Sequence, residues 1–244
     1  MKTSSLFAAI LAIFPLRVSF AAVPTKEVMN SKVLEILNLP LENRVQVTKG
    51  LNQDLYKDYI TVAFSETQSM RLRWRALMMA AEARREKATP DLLKASSHKQ
   101  WFMRNAALVA LAEFNNNEAQ KLAKSLLKDK ALVVRSAAVE VLQANPRPEV
   151  RDLLWEEMSE KHNFRNKESL WIRAQIVEAL AQKPSDHELK LFTKLIEDRD
   201  ERVQSAAVTG LEKLTGVSLG ESKMSRQKLI GLWQNYVRRE KLQL

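Results

Sequence analysis

The pentapeptide Gly216-Val217-Ser218-Leu219-Gly220 has the G-x-S-x-G form of a nucleophile elbow, in which a serine on a sharp turn attacks an acyl carbon. That chemistry needs a strand before the serine, a helix after it, and an acid and then a histidine downstream. Here a helical segment precedes the motif, and the last histidine, His187, lies upstream. The glycines read more simply as a helix end and a turn. Ser96-Ser97-His98-Lys99 and Ser125-Leu126-Leu127-Lys128 have S-x-x-K spacing, but the companion motifs of that serine-acylating class are missing. The three histidines, His98, His162 and His187, stand far apart and never at the spacing that turns two imidazoles toward one metal. No catalytic residue, metal ligand or cofactor follows from these patterns, and the chain reads as a non-enzyme.

Composition agrees. The 244 residues include no Cys and only 5 Gly, with 45% hydrophobic residues, enough apolar material for a sizeable core. Without Cys there is no disulfide, no thiolate metal site, no thiol nucleophile and no lipid-bearing N-terminal Cys. So few glycines argue against phosphate-cradling loops, and equally against strands joined by tight turns. An all-α protein is the expectation.

The chain opens like a secretory signal: Lys2, an unbroken apolar run from Leu6 to Phe14, then Ser19-Phe20-Ala21 with small residues where a signal peptidase cuts. The run is too short for a bilayer, which takes about 20 residues. Cleavage near Ala21 leaves a mature chain starting at Ala22, with no later transmembrane segment, in the periplasm or outside the cell. Residues 1–21 hold two basic side chains and no acid, so the formal charge of +10 becomes +8 on maturation. A basic exported protein suits anionic surfaces, although a solvated basic face is the commoner meaning of such a charge.

The elements that must position any binding surface come from a repeat. Leu126–Leu142 overlays Leu195–Leu211, with Asp129 on Asp198, Val134 on Val203, Arg135 on Gln204, and Ala137-Ala138 on Ala206-Ala207. Trp101–Leu111 and Leu170–Leu180 are further copies. At the arginine position the copies fall at 104, 135, 173 and 204, in steps of 31, 38 and 31. A weaker unit at Arg71–Ala83 precedes them, in no fixed register. Val134, Ala137, Ala138, Val141 and Leu142 form one helical stripe, and the paired alanines let a neighbouring helix approach closely. Amphipathic helices at 117–129, 148–161 and 186–198 lie between the copies. One helix–turn–helix unit cannot cover its own apolar faces, but stacked units can, so the fold is an α-solenoid.

D-x5-V-R-x-A-A-x3-L, read at Asp129, Val134-Arg135, Ala137-Ala138 and Leu142, resembles a HEAT repeat, of the short bacterial variety also found in phycobilin-lyase-type proteins. The resemblance implies a HEAT-like superhelix that serves as an interaction scaffold. It divides the chain into a signal peptide (1–21), an N-terminal helical cap (22–69), repeats (70–215) and a C-terminal capping helix (216–244). Gln204 in place of the repeat Arg, and Gln175-Ile176 in place of Ala-Ala, depart from the pattern.

In such solenoids the second helix of each pair lines the concave face, and the resemblance carries that face to the helices between the copies. There Lys121, Lys124 and Lys128 share one side at i, i+3 and i+7, Lys190 and Lys194 take equivalent places, and Trp155 interrupts the basic row. A tryptophan among lysines suits a peptide anchor or a stacked ring; the plainer alternative is a packed indole beside solvated lysines. The step of 38 comes from extra residues at 161–168, and His162, Phe164 and Arg165 make this loop a second candidate. The working surface is thus expected on the concave face, holding a protein or peptide partner. An anionic polymer, nucleic acid or a cell-envelope polymer, is the alternative.

Overall fold

The computed structural model describes residues 26–51, 53–221 and 223–240. The signal segment and its cleavage point lie outside the described residues. Among the described residues no helix is long and apolar enough to cross a membrane.

The chain is an all-α solenoid with a small β insertion. Helices α1 (Lys26–Asn38) and α2 (Leu41–Gly50) lead into α3 (Tyr56–Phe64) and α4 (Met70–Arg84). Then follow α5 (Thr89–Ser96) and α6 (Trp101–Ala112), α7 (Asn116–Leu126) and α8 (Leu132–Gln143), and α9 (Pro148–Met158) and α10 (Ile172–Gln182). The array ends with α11 (Leu189–Leu195), α12 (Glu201–Thr215) and α13 (Arg226–Glu240). Local sequence sets these bounds. Pro148 opens α9 where its missing N–H costs nothing, Asn115 caps α7 through the Glu118 N–H at 3.2 Å, and Ser185 and Glu188 form a capping box. Gly216 ends α12 in the left-handed region at φ 70°. It thus plays the part of helix terminator, and no strand leads into the exposed Ser218. The hydroxyls of Ser96 and Ser125 are likewise taken up, each donating to the carbonyl three residues before it.

The pairs are α3/α4, α5/α6, α7/α8, α9/α10 and α11/α12. Their second helices stack closely, α4 on α6, α6 on α8, α8 on α10 and α10 on α12, whereas the first helices touch one another little. The second helices thus form the closely stacked side of the array. Small residues permit this stacking. Ala106, Ala137, Ala138, Leu142, Ala206 and Leu211, the stripe residues read from the repeat, are all in the core. Where the alanines are replaced, Ile176 is fully buried and Gln175 donates to the Ser136 carbonyl at 3.3 Å, so larger side chains fill that joint. Trp233, Ile230 and Val237 of α13 close the far end of the core.

Two expectations change. The lysine-bearing helices α7 and α11 come first in their pairs, not second, because each packs against the repeat helix that follows it. The paired array also begins at α3, inside the stretch assigned to the N-terminal cap. The insertion is not a plain loop: Phe164–Arg165 and Glu168–Ser169 form an antiparallel hairpin, with Phe164 opposite Ser169 and Arg165 opposite Glu168. Asn166 and Lys167 make its two-residue turn at φ 53° and 67°, the conformation that hairpin turns normally give to glycine. Glycine scarcity therefore did not exclude a tight turn here.

Candidate functional site

The first turn of each second helix from α4 to α10 carries the repeat arginine, and that arginine reaches into the next repeat. Arg104 of α6 donates from Nε and Nη2 to both oxygens of Asp129, each at 2.6 Å, and from Nη1 to the carbonyls of His98 and Lys99 at 2.8 and 3.1 Å. Asp129 lies 25 residues on, in the α7–α8 turn, and also accepts the Ala131 N–H at 2.8 Å. Burial pushes its carboxyl up, but the Arg104 hydrogen bonds and the Ala131 N–H outweigh that and hold it below the ordinary range. Arg173 repeats the arrangement with Asp198, again 25 residues away, at 3.2 and 2.7 Å, and donates to the Met158 carbonyl at 3.0 Å. Asp198 is lowered in the same way, against burial, by Arg173 and the Asp200 N–H.

This spacing fixes the register of the weaker first unit. Arg73 has His98 at the same distance along the chain, with Nη2 3.3 Å from Nε2, and donates from Nε to the Ala63 carbonyl at 2.9 Å. The arginine series therefore starts at 73, one step of 31 before Arg104. The two irregular members have physical reasons. Arg135 has an acid at the same spacing, Glu160, but that side chain is exposed, and the guanidinium donates instead to Asn163 Oδ1 at 3.1 Å and the His162 carbonyl at 3.0 Å. Gln204 takes the arginine's place in the last repeat. Its neutral amide donates to the Ile196 carbonyl at 3.1 Å and leaves no charge unpaired.

These arginine–acid pairs form the floor of two grooves on one edge of the array, where the turns lead into the second helices. The first groove, about 1020 Å³, lies between the turns before α6 and α8; Met70, Trp101, Phe102, Lys99, Lys128 and Lys130 help to line it around Arg104 and Asp129. The second, about 1000 Å³, lies between the hairpin and the turn before α12, around Arg173 and Asp198, with Phe164 and Trp171 in its wall. Large apolar residues are exposed at the start of four consecutive second helices: Met70 (53%), Trp101 (40%), Val133 (48%) and Trp171 (42%). Each stands two or three residues before its repeat arginine, off the buried stripe. Their charges differ, however. The second groove is lined by Lys167, Arg199 and Arg202 together with Glu168, Glu197 and Asp200, whereas the lining of the first holds Lys99, Lys128 and Lys130 with one acid, Asp129, which Arg104 takes up.

The residues singled out from the sequence scatter. Lys128 lines the first groove, and Phe164 lines the second under the Arg173 guanidinium, 4.4 Å from its ring centre. Arg165 is exposed on the hairpin, and His162 turns inward to the buried Glu157. Lys121, Lys124, Lys190 and Lys194 sit on the first helices away from both grooves, with Lys121 2.7 Å from Glu118. Trp155 does not stand open in a basic row. Its ring packs edge-on against Phe192 at 5.0 Å, and its N–H donates to Glu188 Oε1 at 2.8 Å. Glu188 is buried, also binds Arg151 and the Ser185 N–H, and burial notwithstanding is held below the ordinary carboxylate range by those donors. Trp155 thus joins α9 to α11. The expected convergence of lysines, Trp155 and the loop on one concave face is not formed.

Trp101 and Trp171 escaped the sequence reading, although both stand in the repeat copies. The signal was their phase: an aromatic residue just ahead of the repeat arginine has no place on the buried stripe. Among the described residues no cluster of His, Asp and Glu could hold a metal ion.

Residues 61–156, from within α3 to within α9, match the family model described as HEAT repeats. The matched stretch contains the first three arginines of the series and the whole of the first groove. No curated protein matches the chain.

Proposed function

We propose that this chain is an exported, non-enzymatic scaffold that holds a protein or peptide partner along the edge where its second helices begin. The HEAT-repeat match and the stacked helix pairs support an interaction module. One observation carries the choice of surface: four successive second helices each open on an exposed large apolar side chain, two of them tryptophans. Large apolar side chains left exposed at the same place in successive repeats suit an interaction site, and tryptophan is prominent among interface anchors. Export rests on Lys2, the Leu6–Phe14 run and the small residues before Ala22, and places the mature chain in the periplasm or outside the cell. A long anionic polymer fits less well, because Glu168, Glu197 and Asp200 interrupt the basic track along the edge.

The test is a photo-crosslinking residue placed singly at 101, 171, 121 and 190, in the native compartment. Discrete partner products from 101 and 171 are expected. Products from 121 and 190 alone would move the working surface to the outer lysines. N-terminal sequencing of the mature protein checks export: a start near Ala22 is expected, and retained Met1 would overturn it.

A further inference from the structure

The two grooves share a floor but not a charge. In the first, the Arg104–Asp129 pair is internally neutral, and Lys99 reaches Glu66 at 2.6 Å. That leaves Lys128 and Lys130 on the α7–α8 turn as uncompensated positive charge above a wall of Met70, Trp101 and Phe102. Phe102 is itself pinned, with the Arg73 guanidinium 5.2 Å from its ring centre and the Trp101 ring edge-on at 6.2 Å. The groove therefore offers the exposed Trp101 and Met70, backed by the buried Phe102, together with two exposed lysines in the same lining. We infer that it takes an acidic peptide segment carrying one bulky apolar side chain, the side chain against Met70 and Trp101, the carboxylates on Lys128 and Lys130. This rests on the edge being the working surface and adds which partner chemistry it selects and where.

A long polyanion would ask for positive charge along the whole edge, and the second groove, with as many acids as bases, does not continue it. A purely apolar ligand would gain nothing from the two lysines. An acidic, singly anchored segment uses both features. Electrostatic complementarity of this kind acts mainly on selectivity and association rate, and the apolar anchor on affinity.

The experiment selects binders to the mature chain from a randomised peptide library, then measures the selected peptides by fluorescence anisotropy. Enrichment of Asp and Glu around an aromatic or long aliphatic residue is expected. Trp101→Ala should weaken those peptides about 30-fold, and Trp171→Ala should not. Lys128→Glu/Lys130→Glu should weaken them about tenfold at low salt and less at high salt, and should gain affinity for versions with Lys in place of the acids. That charge-swap gain cannot come from a misfolded variant, and circular dichroism confirms the fold of each. Selected peptides that depend on Trp101 but show no acidic enrichment would overturn this inference and leave the edge reading standing. Peptides indifferent to both tryptophan changes would overturn both. Failure to select any peptide, or tighter binding of an oligothymidylate than of every selected peptide, would also overturn the inference.

Discussion

Replacing Asp129 by Ala should cost about 3–4 kcal/mol. The Asp129 side chain is 6% exposed and that of Arg104 15%, so removing the carboxylate leaves a guanidinium without its bidentate partner in a nearly dry place. Breaking one half of a buried ion pair costs about 3–5 kcal/mol. The carbonyls of His98 and Lys99 still hold Nη1, which places this case at about 3. The Ala131 N–H ahead of α8 also loses its acceptor, adding about 1 kcal/mol. With an m-value of about 2–3 kcal/mol/M in urea, the midpoint should fall by roughly 1–2 M. Unfolding is followed by both circular dichroism and tryptophan fluorescence, because stacked repeats can lose cooperativity. The double change Arg104→Met/Asp129→Leu removes both charges and should recover most of the loss. A single substitution costing under about 1 kcal/mol, or a double costing more than the single, would refute the view that this pair joins neighbouring repeats.

Acid should unfold the protein through the same groups. Asp129, Asp198 and Glu188 titrate below their unfolded values, so the unfolded chain binds more protons below about pH 4; their stabilisation is present above that and lost as pH falls through the depressed values. Urea midpoints between pH 3 and 6 check this, and a flat profile contradicts it. Trp155→Phe keeps the ring against Phe192 but loses the Glu188 hydrogen bond, and should cost about 1–3 kcal/mol in urea unfolding while leaving peptide binding at the first groove unchanged. Gly210→Ala would place a methyl 2.6 Å from the buried Phe192 ring, so calorimetry should show a lower Tm by about 1–3 kcal/mol of stability, despite the better helix propensity of alanine. Lys167→Gly at φ 67° should stabilise the hairpin by about 0.5–1 kcal/mol, seen as slower amide exchange at Phe164 and Arg165.

The sequence made the solenoid legible because its signal is periodic. The stripe at Val134, Ala137, Ala138 and Leu142 recurs, and recurrence says what is buried. Pair order was harder: helix 117–129 lies between two repeat helices, and only tertiary packing decides which is its partner. The arginine–acid contacts were half visible. Asp129 and Arg135 stand together in one motif, six residues apart, yet Asp129 bonds Arg104 of the preceding unit, since the turn comes round beside the earlier helix. Trp155 misled because a large aromatic among lysines looks like an anchor, while its true partners, Phe192 and Glu188, lie more than 30 residues away. Trp101 and Trp171 went unread for the opposite reason, being taken as part of the motif that located them. The hairpin was hidden because Asn166-Lys167 makes a turn usually signalled by glycine.

That each arginine grips the turn of the unit after it has a consequence for how the molecule could be lengthened or shortened. The natural cassette runs from one repeat arginine to the next, 31 residues except for the 38 across the hairpin, and does not coincide with a helix pair. Excising such a span between Arg73 and Arg104, or duplicating it, leaves every remaining arginine with a downstream turn to hold. A cut made at helix-pair boundaries just after α12 would instead strand nothing, because Gln204 has already ended the series. The chain thus carries a phase as well as a period, and the glutamine is its full stop.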